Sequence, residues 1–122
     1  MPNYIPDGWH SVTPRLVAKD PAKLVEFLNR TFDAQGGFSG DAPALMRIGD
    51  SIVMVSGAGP REPKPAFLYV YVKDVDETYR RALKAGAVSL EEPTDLPYGD
   101  RRAMVKDAWG NEWQIATHQG GS

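Results

Sequence analysis

The chain contains no cysteine, which excludes disulfides, thiolate metal sites and cysteine nucleophiles. It also lacks an excess of charge of either sign. The net charge of −2 and the pI near 5.6 give no electrostatic reason to expect nucleic acid or an anionic membrane as a partner. Basic residues are scattered, and Arg80-Arg81 and Arg101-Arg102 are the only tight pairs. No apolar run approaches the roughly 18 residues of a membrane span. The start, Met1 to Gly8, has neither a basic nor an apolar segment of the kind that opens a signal peptide. A cytoplasmic protein is therefore expected. No phosphate loop and no hydrolase triad can be read from the sequence.

What is present suits one folded domain. At 122 residues with 42% apolar and 25% charged residues, the chain is long enough to bury a modest core and has an ordinary soluble composition. Its organisation is a repeat. Arg15-Leu16-Val17-Ala18-Lys19-Asp20 lies over Tyr69-Val70-Tyr71-Val72-Lys73-Asp74, so that Lys-Asp falls on Lys-Asp 54 residues apart (20 to 74). Each half predicts a strand, over 12–19 and 66–73, followed by a helix. Asp20 and Asp74 stand where an N-cap belongs, and Pro21 suits a first helical position. The helical stripes are Leu24, Phe27, Leu28 and Thr31-Phe32 in the first half, and Tyr79, Ala82, Leu83 and Ala85 in the second, stopped by Gly86.

Three shorter apolar runs follow each helix: about 37–38, 44–48 and 51–56, then 87–91, 101–106 and 112–117. Gly49-Asp50 and the segment Asp107 to Asn111 are the hairpin turns. The prediction is an α+β domain of two tandem β-α-β-β-β modules forming cupped mixed sheets. Module 1 covers about 10–56 and module 2 about 66–118, with a linker over 57–65 and a flexible tail over 119–122. An ordinary α+β sandwich whose halves are alike by accident is the alternative.

The run from Tyr98 to His118, the opening Gly8-Trp9-His10-Ser11-Val12-Thr13-Pro14 and the hairpin Arg47-Ile48-Gly49-Asp50-Ser51 resemble the vicinal-oxygen-chelate superfamily. That group comprises glyoxalase I, extradiol dioxygenases and bleomycin- and fosfomycin-resistance proteins, and the likeness is to its PhnB-like subgroup. The resemblance spans nearly the whole chain. It implies a homodimer and a cavity inside each cupped sheet, but no single reaction.

Family enzymes hold a divalent cation through residues on the first and last strand of each module. By resemblance those positions fall here on Thr13, Met54, Phe67 and Gln114. One hydroxyl, one thioether, one phenyl ring and one amide do not make a site for a hard or borderline cation. His10 is three residues from Thr13, an odd offset that turns it to the opposite face, about 10 Å along the chain. It and His118 read as surface or terminal histidines with ordinary hydrogen bonds. Glu112 shares a strand face with Gln114 but sits about 7 Å away. No metal and no cofactor is expected.

Alternation from Thr13 and Phe67 turns Arg15, Tyr69 and Tyr71 into the cup, with Gln114 and Ala116 from the last strand and Arg102 and Met104 from its neighbour. Trp113 turns instead toward the helices. Aromatic walls with Met54, polarised by Arg15, Gln114 and the tyrosine hydroxyls, suit a small planar ligand. The expected ligand-binding residues are Thr13, Arg15, Met54, Phe67, Tyr69, Tyr71, Arg102 and Gln114. The alternative is that these side chains fill a closed core and Arg15 pairs with an acid. Trp9 and Trp109 are placed at a pocket mouth or a dimer contact. The polar segment Glu91 to Asp100 is expected to cross the cup opening as a solvated loop, Asp95 and Asp100 included.

The favoured function is a metal-free small-molecule-binding protein that sequesters a partly aromatic compound, with antibiotic resistance as one consequence. The alternatives are a glyoxalase- or dioxygenase-like enzyme with atypical metal ligands, and a metal-independent enzyme in which Arg15, Tyr69 or Tyr71 steadies an oxyanion. A purely structural or regulatory dimer module is the last.

Overall fold

A computed structural model of the protein describes residues 4–38, 41–57, 59 and 62–120. The elements run β1 (Arg15–Val17), α1 (Pro21–Phe32), β2 (Gln35–Gly37), β3 (Ala44–Ile48) and β4 (Ser51–Ser56). The second half repeats the order: β5 (Phe67–Tyr71), α2 (Val75–Lys84), β6 (Val88–Asp95), β7 (Asp100–Lys106) and β8 (Glu112–His118). The two modules form separate four-stranded sheets, ordered β1-β4-β3-β2 and β5-β8-β7-β6. In each, the first strand pairs parallel with the last and the other pairings are antiparallel. The β-α-β-β-β repeat is thus realised with identical topology in both halves. Residues 58, 60 and 61 of the expected linker, and 121–122 of the expected tail, lie outside the described residues.

The helices form as their stripes dictate. In α1, Leu24, Phe27, Leu28 and Thr31 are buried together with Val25. In α2 the most buried residues are Val75, Thr78 and Ala82, while Tyr79 and Leu83 flank them against the core. The two capping aspartates differ. Asp74 accepts from Glu77 N–H at 3.1 Å, whereas the Asp20 side chain makes no cap bond and its role passes to Pro21 and the backbone. The strand bounds also shift. β1 spans only Arg15–Val17 rather than 12–19, because Pro14 at its entry has no N–H to give the ladder, although its carbonyl accepts from Met54 N–H of β4.

The segment expected to be a solvated loop over Glu91–Asp100 is corrected by the structure. β6 continues to Asp95, pairing Thr94 with Arg102 and Asp95 with Arg101 across register shifts at Ser89/Glu91 and Glu91/Thr94. Bulges let a Pro-containing strand stay paired at a sheet edge. Arg101 strengthens this arrangement by clamping Asp76 of α2 with two bonds of 3.0 and 3.1 Å and Asp95 with one of 3.2 Å.

The sheets share one apolar core through their helix-side faces. Leu16, Met46 and Val55 from the first module and Trp113, Ile115 and Val105 from the second are essentially inaccessible. Phe32 of α1 meets Trp113 with ring centroids 5.0 Å apart, and Phe27 meets Trp109 edge-on at 6.2 Å. Trp113 is therefore core, as its strand parity requires, and Trp109 belongs to the helix layer. The turn between β7 and β8 is held by Asp107, which is 5% exposed. One carboxylate oxygen accepts from Trp109 N–H and Asn111 N–H at 2.9 Å each. The other accepts from Asn111 Nδ2 at 3.0 Å and Trp113 Nε1 at 2.9 Å. No helix among the described residues is long and apolar enough to cross a membrane.

Candidate ligand cup and its acidic hub

Strand alternation sorts β5 into two chemistries. Leu68 and Val70 pack toward the shared core, while Phe67, Tyr69 and Tyr71 face the other way and remain 64%, 37% and 60% exposed. In register they lie across from Glu112, Gln114 and Ala116. Gln114 and Ala116 in turn oppose Met104 and Arg102. The concave face of the second sheet thus gathers Phe67, Tyr69, Tyr71, Arg102 and Gln114.

The other three expected ligand-binding residues belong to the first module. Arg15 lies across from Met54, and Thr13 sits two residues before Arg15, outside β1. Arg15 Nε donates to Ser56 Oγ at 3.1 Å, so its side-chain partner is a hydroxyl rather than an acid. Because the two sheets meet through their helix-side faces, one chain leaves both concave faces open.

The largest correction concerns Asp100. Expected in a solvated loop, it instead begins β7 and is 1% exposed. Its Oδ2 accepts from Tyr69 Oη at 2.6 Å and from Tyr71 Oη at 2.9 Å. Its Oδ1 lies 2.8 Å from His118 Nδ1. Three hydrogen bonds replace the water that this carboxylate gives up, which is the condition for burying it. Strand parity held the signal: Asp100 is two residues from Arg102, and His118 two from Ala116, so both belong to the cup face. Asp95, by contrast, is exposed and pairs with Arg101.

The hub fixes the direction of every proton around it. The hydrogen bonds from Tyr69, then His118 and Tyr71, hold the Asp100 carboxyl below the usual carboxylate range, against the opposing effect of desolvation. An ionised carboxylate only accepts. Burial, and then the bond to Asp100, push the Tyr69 hydroxyl above the ordinary phenol range. The bond to Asp100, and then desolvation, raise Tyr71 in the same way. Since Tyr69 spends its proton on Asp100, the 3.2 Å contact between Tyr98 Oη and Tyr69 Oη is donated by Tyr98. Tyr98 Oη accepts in turn from Arg102 at 3.3 Å. Arg102 also binds Glu91 through Nε at 3.1 Å and Nη2 at 3.4 Å.

These directions bear on chemistry. A hydroxyl that steadies an oxyanion must donate to it, and the Tyr69 and Tyr71 protons are already committed to Asp100. The arrangement therefore weighs against the metal-independent enzyme that would use these tyrosines as donors.

The residues present do not fit a divalent cation. The four positions that the resemblance assigns to cation ligands carry Thr13, Met54, Phe67 and Gln114, and Phe67 stands across from Glu112 rather than Gln114. Asp100 and His118 are engaged with each other and Glu91 with Arg102. Among the described residues no three His, Asp or Glu converge, whereas a catalytic cation needs about three such ligands.

Two clefts flank the open edge of β5. One, with a volume of about 570 Å³, lies between that edge and the β3–β4 turn, walled by Pro14, Ile48, Val53, Leu68, Tyr69 and Tyr71 among others. The second, about 560 Å³, shares Ile48, Gly49 and Tyr71 and runs on toward α2. The hollow expected inside each cup is thus not enclosed by one chain, and the recesses follow the junction between modules.

Two cupped βαβββ modules in tandem define a recognisable class. The model of the glyoxalase/bleomycin resistance protein/dioxygenase superfamily matches residues 10–115, and the chain belongs to that superfamily. Its fold is close to that of crystalline TioX from Micromonospora sp. ML1, with a TM-score of 0.76 and 29% identity over 89% of this chain and 98% of that one. A superfamily member from Burkholderia phytofirmans gives 0.73 with 19% identity, over 87% of this chain and 96% of that one. An uncharacterised protein of Mycobacterium bovis is 28% identical over 86% of this chain and 81% of its own length.

Proposed function

We propose that the protein is a metal-free binding protein of the glyoxalase/bleomycin-resistance type, holding a small, partly aromatic compound against its second sheet. The observation that carries this reading is the row Phe67, Tyr69 and Tyr71. All three rings are exposed on one strand face, and those of Tyr69 and Tyr71 adjoin, with centroids 5.3 Å apart. Leaving such rings in water forgoes roughly 1.5–3 kcal/mol each, and flat ligands stack on them. Gln114 and Arg102 lie on the same face and orient polar groups. The Tyr98–His118 run allies the protein with PhnB-like members, and drug sequestration leading to antibiotic resistance is the corresponding biological role.

A second copy of the chain completes the site. β1 and β5 each have a strand partner on one side only, and unpaired strand edges with exposed apolar faces invite pairing. Leu45, Val88 and Leu90 add exposed apolar surface. In such a homodimer Arg15, Met54 and Thr13 of one copy face the aromatic row of the other.

Metal analysis of protein purified without chelator, together with tryptophan-fluorescence titration against planar aromatic compounds, tests the reading. Saturable binding with far less than one cation per chain is expected. Near-stoichiometric zinc, nickel or manganese, or silence across the panel, contradicts it.

A further inference from the structure

The polarity of the hub specifies what kind of ligand group it takes. Asp100 draws in the protons of Tyr69 and Tyr71 at 2.6 and 2.9 Å. Each phenol oxygen is left with lone pairs only. Tyr69 spends one of these on Tyr98, whereas Tyr71, 60% exposed, has no other donor among its side-chain bonds in the described residues. Behind both oxygens stands a carboxylate that water does not reach, so its charge is screened only by its bonded neighbours. The charged groups around it are few. His118 donates to Oδ1 from Nδ1, and Arg102 is offset by Glu91. The ring faces of Phe67, Tyr69 and Tyr71 add the negative side of their quadrupoles.

From this geometry we infer that the Tyr69–Tyr71 end of the cup is a subsite for a cationic N–H donor, a protonated amine or amidine carried on a flat apolar ligand. The inference rests on the binding function proposed above and names its ligand class. It reverses the polarity that tyrosine hydroxyls and arginines alone would suggest, namely a site for carboxylates or phenolates. An N–H group meets two preset acceptors with a charge behind them, and its aromatic body lies along the ring row. A carboxylate meets the same lone pairs and is repelled.

Three indoles that differ only in side chain separate the possibilities: tryptamine, tryptophol and indole-3-acetate, each titrated calorimetrically into the full-length protein at pH 8. Tryptamine is expected to bind at least about tenfold more tightly than tryptophol, with indole-3-acetate weakest. Tyr71→Phe keeps the exposed ring and removes one acceptor. It should cut the ratio of tryptamine to tryptophol affinity several-fold. Asp100→Asn removes the charge while its amide oxygen still takes both hydroxyl protons, so the preference for tryptamine should shrink several-fold and indole-3-acetate should gain. Equal binding of tryptamine and tryptophol, tighter binding of indole-3-acetate, or an unchanged preference in Tyr71→Phe overturns the amine subsite and leaves the binding function standing. Failure of all three indoles to bind, while other planar aromatic compounds do bind, overturns the amine subsite alone, and silence of both sets overturns both.

Discussion

Replacing Asp107 with asparagine changes one atom and almost no volume, yet it should cost much of the protein's stability. The carboxylate takes four hydrogen bonds, from Trp109 N–H, Asn111 N–H, Asn111 Nδ2 and Trp113 Nε1. An amide can satisfy only one pair. If its oxygen serves the two backbone amides, its NH2 confronts Trp113 Nε1 and Asn111 Nδ2, donor against donor. Turning Asn111 over does not help, because Asn111 Oδ1 accepts from Ala66 N–H at 2.8 Å and so ties the turn to the start of β5. Two charge-assisted bonds lost inside the core, at about 1.5–3 kcal/mol each, make a deficit on the order of 3–6 kcal/mol. That is a large share of the 5–15 kcal/mol typical of a domain, and corresponds to a Tm roughly 10–20 °C lower. Urea unfolding of Asp107→Asn beside the parent, followed by far-UV circular dichroism, measures it. A loss below about 1 kcal/mol would refute the argument, since it would mean that the buried donors find other partners cheaply.

Other consequences follow from the same geometry. Asp100 is depressed by its bonds to Tyr69, His118 and Tyr71, so its contribution to stability is present above the unfolded carboxylate's pKa of about 3.9 and is lost as pH falls through the lower folded value. The stability gap between the parent and Asp100→Asn should therefore narrow in acid below about pH 4, and a gap that widens there contradicts the assignment. Tyr69 and Tyr71 are shifted the other way, so their protonated forms stabilise the fold below about pH 10 and that contribution is lost as pH rises further. Ultraviolet titration of Tyr69→Phe and Tyr71→Phe should each remove phenolate signal from the late part of the curve, above about pH 10. Gly36 has φ +125°, and a Cβ there would run into the Leu45 carbonyl oxygen across the β2–β3 pairing. Gly36→Ala should cost about 1–3 kcal/mol, read from the same urea curves.

The repeat was legible in the sequence because it rests on local signals. Alternating apolar residues, the paired Lys-Asp endings and the glycine turns mark each element, and the structure preserves the 54-residue equivalence by setting Arg15 across from Met54 and Tyr69 across from Gln114. The same parity placed Trp113 in the core and Phe67, Tyr69 and Tyr71 on the opposite face. The hub was not read, although parity put its parts on that face, because its bonds join residues 18 to 31 positions apart. A lone aspartate after Tyr98-Gly99 looks like any turn residue until two tyrosines on another strand deliver their hydroxyls to it. The extension of β6 past Pro93 was hidden for a related reason. Its pairing depends on bulges and on the Arg101 clamp to Asp76 and Asp95, contacts that no local propensity encodes.

The proposed binding on the concave aromatic face needs no metal. The direct measurement is the dissociation constant of one planar aromatic ligand in chelator-treated protein, repeated with added zinc or manganese and with Phe67→Ala. The same affinity is expected with and without cation, with a loss of tenfold or more on removing the Phe67 ring, which stands exposed on the cup face. Binding that appears only when the cation is added, or that is indifferent to Phe67, would contradict it.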